Sequence, residues 1–163
     1  MQIKSRNMLS KKDKKVLLEN LVVIYGEGTI SSFEKTLALE EIKTDEGIFL
    51  VKGGKIWFFD YNKQTIPTIH FLRENQINLP KIIVDTGAIR FITNGADVMA
   101  PGIVYFDEKI IEGTIVSIHE ETANSLLGVG IAFVNSEKFE KTKQGKVIKT
   151  IHHLKDIIWK FQL

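Results

Sequence analysis

Four histidines, no cysteine and scattered carboxylates are the groups in this 163-residue chain that could do acid–base, nucleophilic or metal chemistry. Without cysteine there is no disulfide, no thiolate zinc site and no cysteine nucleophile. The histidines are His70, His119, His152 and His153. The last two are adjacent, and in a strand adjacent side chains point to opposite faces, so they do not readily share a metal. No pair of histidines stands at the helical spacing of a zinc site, and no G-x-x-x-x-G-K-[ST] phosphate loop occurs. Lys52-Gly53-Gly54-Lys55 reads instead as a hairpin turn, Asp85 as a helix cap, and Asp97 and Asp107 as loop residues. Hydrolysis or group transfer needs a convergent base, nucleophile or metal. No such set is visible, so the expectation is a non-catalytic protein with no metal and no cofactor.

The other candidate chemistry is cationic. Residues 1–15 hold Lys4, Arg6, Lys11, Lys12, Lys14 and Lys15 against Asp13 alone, a local net charge of +5 in a chain whose overall net charge is +2. A second basic stretch holds Lys138, Lys141, Lys143, Lys146 and Lys149. Such clusters could neutralise phosphates. On charge alone they read more readily as a solvated helix face and a lysine-rich loop. Hydrophobic residues at 44% and charged residues at 26% allow a packed core and argue against disorder. No apolar run approaches a membrane span, and Glu19 and Asn20 break the run from Val16 to Tyr25 that would have to serve as a signal-peptide core. The chain is therefore expected to be soluble and cytoplasmic, with no membrane partner.

The elements that must position these groups fall into two halves. Ser10 is an N-cap candidate with Asp13 three residues on, and Val16, Leu17 and Leu21 recur at helical spacing, predicting a helix over 11–21. A second short helix is expected at 29–36 and a strand at 36–43. Gly47 to Val51 and Lys55 to Asp60 form a hairpin across Gly53-Gly54. Pro67 is expected to open a helix continuing to Glu74. Past Leu79-Pro80 the pattern becomes short strands punctuated by glycine: 82–84, 102–106, 114–119, 127–134 and 145–150, with a short helix at 86–91. Gly128 and Gly130 suggest a bulge or barrel corner. Leu154, Ile157, Ile158 and Phe161 form a helical stripe that would plug the barrel. The class is α+β: a small α/β unit over 1–80, then a mostly β pseudo-barrel with short helices over 81–163.

Three stretches of the second half resemble the PUA domain, a small RNA-binding barrel: VDTGAIRFITNGADVMAPGI at 84–103, LGVG at 127–130 and GKVIKTIHHLKDIIWKF at 145–161. Residues 1–80 are similar to the pre-PUA unit of a translation-factor family, the proteins described as multiple copies in T-cell lymphoma, with archaeal relatives. LSKKDKK at 9–15, GKIWFF at 54–59 and PTIHFLRENQINLP at 67–80 carry that similarity. The resemblance implies a monomer that binds structured RNA, rRNA or tRNA, in translation. It also implies an initiation-factor-like protein partner in the eukaryotic branch. The loop between Phe106 and Thr114 is shorter than in that branch.

With the resemblance, RNA is expected along the 86–94 helix and the 99–103 step. Gly87 would let a phosphate approach free N–H donors at a helix start, and Arg90 would reach the same backbone. Thr86, Ala88 and Asn94 complete that edge. Met99, Ala100, Pro101 and Gly102 form a low apolar step for a ribose or an unstacked base. Lys11, Lys12, Lys14 and Lys15 become phosphate neutralisers. Turn geometry is the primary reading of the glycines, and the two roles are compatible. Two other functions stay open: an accessory subunit presenting RNA to a modification enzyme, and a protein–protein adaptor. The latter draws on Trp57, Phe58 and Phe59, since consecutive strand residues alternate faces and one or two should lie opposite the core, against the PUA unit or a partner.

Overall fold

A computed structural model of the chain describes residues 1–26, 38–75, 77–141 and 144–163, and the side chains of Glu140 and Lys141 are left undescribed. The short helix expected at 29–36 lies outside the described residues. The chain divides into two compact units, Met1–Ile77 with Phe161–Leu163, and Asn78–Lys160.

The first unit begins with β1 (Ile3–Met8), a strand that no apolar pattern in the sequence predicts, and α1 (Lys11–Tyr25). Ser10 caps α1, its hydroxyl accepting the Asp13 N–H at 3.1 Å. The helix runs past Leu21 because the apolar pattern continues through Val22 and Tyr25; it stops at Gly26, whose φ of 83° lets its N–H reach the Val22 carbonyl at 2.8 Å. Leu17 and Leu21 are buried, but Val16 is 48% exposed, one helical step off their face. Next come β2 (Glu40–Thr44), β3 (Ile48–Lys52), β4 (Lys55–Tyr61), β5 (Gln64–Pro67) and α2 (Ile69–Asn75). The five strands form a sheet in chain order, every neighbouring pair antiparallel. Gly53 and Gly54, at φ 56° and 79°, form the positive-φ turn joining β3 to β4.

One expectation for this unit is corrected. Pro67 ends β5 rather than opening a helix; Thr68 caps α2, its hydroxyl accepting the Phe71 N–H at 3.3 Å and donating to the Ile56 carbonyl at 2.7 Å. Trp57, Phe58 and Phe59 of β4 are all buried. Phe71 of α2 meets Trp57 edge-on at 5.3 Å and Phe58 at 4.3 Å, and the Lys52 ammonium lies 4.2 Å from the centre of the Trp57 ring.

The second unit holds β6 (Lys81–Val84), a 3-10 turn (Thr86–Ala88), α3 (Ile89–Ile92), β7 (Val98–Met99), a second 3-10 turn (Ala100–Gly102), β8 (Ile103–Phe106), β9 (Ile115–Glu120), β10 (Leu126–Ala132), α4 (Glu137–Lys141), β11 (Lys146–His153) and α5 (Ile157–Lys160). Its sheet runs β7-β11-β10-β9-β6-β8, antiparallel except for the β6–β9 pair, and curls into a nearly closed barrel. The expected α+β class is what the structure shows. Ile82, Val84, Ile118, Val129 and Ile148 are fully buried inside. Pairing shifts register at Leu126/Gly128 and Val129/Gly130. A β-carbon on Gly128 would stand 2.7 Å from the His152 carbonyl oxygen, and one on Gly130 would stand 2.8 Å from that of Lys149, so close strand approach requires both glycines.

The closing helical stripe is also corrected. β11 continues to His153, the chain turns at Lys155 with φ 72°, and the helix begins only at Ile157. Asp156 sets that start, accepting the Trp159 N–H at 2.7 Å, the His153 N–H at 2.9 Å and a bond with His152 Nδ1 at 2.7 Å. Burial alone would raise the Asp156 carboxyl, but these partners hold it below the ordinary carboxylate range. Ile158 is buried, Leu154 packs on the core, and Ile157 is 49% exposed.

Candidate nucleic-acid interface

The end of β6 and the two 3-10 turns build a cleft of about 630 Å³ in the second unit. Asp85 sets its base. Its N–H donates to the Gly102 carbonyl at 2.9 Å, tying the strand end to the second turn, and its carboxylate accepts the Ala88 N–H at 2.9 Å. A β-carbon on Gly102 would lie 3.7 Å from that of Ala88, so the two turns nearly touch here. Gly95, at φ 89°, ends the α3 segment, its N–H bonded to the Ile92 carbonyl at 2.9 Å. β11 fixes the far wall. Asp97 accepts the Thr150 N–H at 3.0 Å and pairs with the Lys146 ammonium at 3.1 Å, while the Thr150 hydroxyl donates to the Ala96 carbonyl at 2.8 Å.

The expected site residues distribute unevenly around this cleft. Gly87, Ala88, Met99 and Gly102 line it, and Met99 is 44% exposed. Thr86, Arg90, Asn94 and Pro101 are exposed on the same segments without lining it. Ala100 is buried, its N–H bonded to the Gly145 carbonyl at 3.0 Å, so it supports the step rather than presenting a surface. Lys11, Lys12 and Lys15 are exposed on α1 in the first unit, Lys14 is half-buried there, and Lys15 stands 3.9 Å from Glu19. Of the second basic stretch, Lys146 lines the cleft and Lys138 and Lys149 are exposed; the Lys141 side chain and Lys143 lie outside the described residues.

Two of the N–H donors expected beside Gly87 are engaged. The Thr86 N–H donates to Glu121 Oε1 at 3.0 Å and the Ala88 N–H to Asp85. Two carboxylates already occupy the place where a phosphate was expected, and their charge opposes one.

Phe91 is a site residue that sequence reasoning passes over. Ile92 is buried and Ile89 packs on the core, three apart on α3, which turns Phe91 outward at 58% exposure onto the cleft's lip. The Arg90 guanidinium sits 5.6 Å from the centre of its ring. The Ile89/Ile92 spacing was the available signal. An aromatic face, a floor of small residues and cations at Arg90 and Lys146 can receive a planar, unstacked base and its phosphate. Among the described residues no three His, Asp or Glu gather as a metal site. His153 packs behind Gly95: a β-carbon there would stand 3.0 Å from its Nε2.

Comparison with known proteins identifies the barrel. Residues 80–154 match the PUA domain. An uncharacterized protein of Methanocaldococcus jannaschii is 36% identical over 99% of both chains. Translation machinery-associated protein 20 of Eremothecium gossypii is 31% identical over 79% of this chain and 75% of its own. The chain belongs to this family of PUA proteins. Malignant T-cell-amplified sequence 2 of Homo sapiens is 34% identical over 68% of this chain and 63% of its own, which bears out the family resemblance read from the sequence. Among solved structures, a hypothetical protein of Pyrococcus horikoshii is 32% identical with a TM-score of 0.81, covering 95% of this chain and 98% of that one. The cleft described above therefore belongs to a PUA domain, flanked by Asp85 and Gly102.

Proposed function

We propose that the chain is a non-catalytic protein of the translation apparatus that binds structured RNA, from the small ribosomal subunit or tRNA, through the PUA cleft. Kinship with translation machinery-associated protein 20 supports the setting. The observation that carries the site is the exposed Phe91 at the mouth of an apolar cleft, with Arg90 against its ring and Lys146 on the opposite wall.

In this reading an unstacked base rests on Phe91 and Met99, while Arg90 and Lys146 meet the adjoining phosphates. Gly87 and Gly102 keep the walls low so that the base can enter. Asp85 and Glu121 hold the first turn rigid instead of leaving it open to an anion. The lysines of α1 contribute long-range attraction without base preference.

Crosslinking in cells followed by sequencing of the bound RNA tests the proposal. Enrichment of small-subunit rRNA or tRNA is the expected result. Recovery of neither, or crosslinks that persist undiminished in Phe91→Ala/Arg90→Glu, would refute it.

A further inference from the structure

The first unit has a groove of its own, about 290 Å³, between α1 and the sheet. Val16 and Leu17 form the helix wall, Ile48 and Leu50 the strand wall, and Phe59 lies beneath. Val16 and Ile48 face solvent at 48% and 41% exposure, so the groove leaves apolar area uncovered at its mouth. Helical spacing puts Asp13, Val16, Leu17 and Asn20 on this side of α1 and turns Lys11 and Lys15 away. Glu41 and Asp60 stand on the sheet side. Lys43 pairs with Glu41 at 3.3 Å, and no lysine or arginine among the described residues lines the groove, so its rim remains negative.

We propose that this groove docks a peptide segment of a partner protein, an apolar side chain seated between Val16 and Ile48 and flanking lysines or arginines meeting Asp13 and Asp60. The rim chooses among occupants. RNA would bring phosphates against carboxylates. A second copy meeting face to face would set the same acidic rim against itself. A basic-flanked apolar segment satisfies both the exposed side chains and the rim charge. The inference does not depend on the RNA reading.

Two probes test it by fluorescence anisotropy on the full chain: a short synthetic peptide with a Leu-Phe centre and lysine flanks, and the same peptide with glutamate flanks. The lysine-flanked peptide should bind saturably and the glutamate-flanked one should not. Val16→Asp and Ile48→Asp should each weaken it about tenfold or more, as expected when an apolar partner surface is replaced by a charge. Asp60→Lys, at an exposed turn-proximal position, should weaken the lysine-flanked peptide and admit the glutamate-flanked one. Unchanged melting temperatures would show that each of the three variants is folded. Equal binding of both peptides, or no binding of either, would overturn the proposal.

Discussion

Replacing Phe91 by alanine should weaken RNA binding while leaving the barrel folded. The ring is 58% exposed, so less than half of its area contributes to the core. Fully burying a phenylalanine is worth roughly 1.5–3 kcal/mol, so the loss in folding stability should stay near 1 kcal/mol. That shifts the melting temperature of a unit this size by about 4–8 °C and leaves it folded at 25 °C. The binding loss is larger. Base–aromatic stacking contributes about 1–3 kcal/mol per base, a weakening of roughly 5- to 150-fold in Kd. The Arg90 guanidinium, 5.6 Å from the ring centre, loses its stacking partner as well. The assay is anisotropy with a labelled single-stranded RNA at fixed salt, with circular dichroism melts run alongside. Phe91→Trp should keep affinity, whereas Phe91→Leu, apolar but without an aromatic face, should behave like alanine. Affinity within twofold of the parent for Phe91→Ala would refute the stacking argument, and equal behaviour of tryptophan and leucine would show that area rather than stacking matters.

Changing Lys11, Lys12, Lys14 and Lys15 together to glutamine should lower RNA affinity without altering base preference. It should also flatten the dependence of log Kd on log salt by about 0.7–0.9 for each phosphate no longer neutralised, and an unchanged slope would leave these lysines a solvated face. The Glu120 carboxylate accepts the N–H groups of Ser125, Ala123 and Thr122, which hold its pKa down to about 2 against an ordinary 4.5. A carboxyl lowered on folding contributes stability above 4.5 that is lost as pH falls through about 2. Melts from pH 5 to about pH 2 should therefore fall less steeply for Glu120→Gln than for the parent, and identical slopes would contradict the assignment. Gly130→Ala should destabilise the second unit by about 1–3 kcal/mol, because its β-carbon would press on the Lys149 carbonyl; a denaturant midpoint unchanged from the parent would show that β11 yields freely.

The second half was the more legible because its signals are local. Pro80 marks a change to short strands, Asp85 reads as a cap and accepts the Ala88 N–H, and Gly128 and Gly130 read as a bulge and sit at register shifts. Tertiary choices were less visible. β1 has no buried residue along its length, so it shows no apolar alternation and is held in place by pairing with β2. Three adjacent aromatics on β4 implied a second packed face, but not what packs there, because Phe71 lies too far along the chain to be read into it. Asp156 cut the closing stripe short by capping at a position where spacing alone ran on.

The candidate site divides in the same way. Glycine and alanine positions marked the two turns that form the cleft, yet the donors beside Gly87 are occupied by Asp85 and by Glu121, the latter from another part of the chain. Phe91 was overlooked because its exposure follows from where Ile89 and Ile92 pack, and Lys146 enters the cleft only through the pairing of β11 with β7.

Amide chemical-shift mapping tests the central claim most directly. The isotope-labelled full chain would be titrated with a tRNA transcript and, separately, with a single-stranded fragment of small-subunit rRNA. The largest shifts should fall on Gly87, Phe91, Gly95, Met99, Gly102 and Lys146, and should vanish in Phe91→Ala/Arg90→Glu. Saturable binding that leaves these amides unmoved, with the shifts on other parts of the chain, would contradict the account.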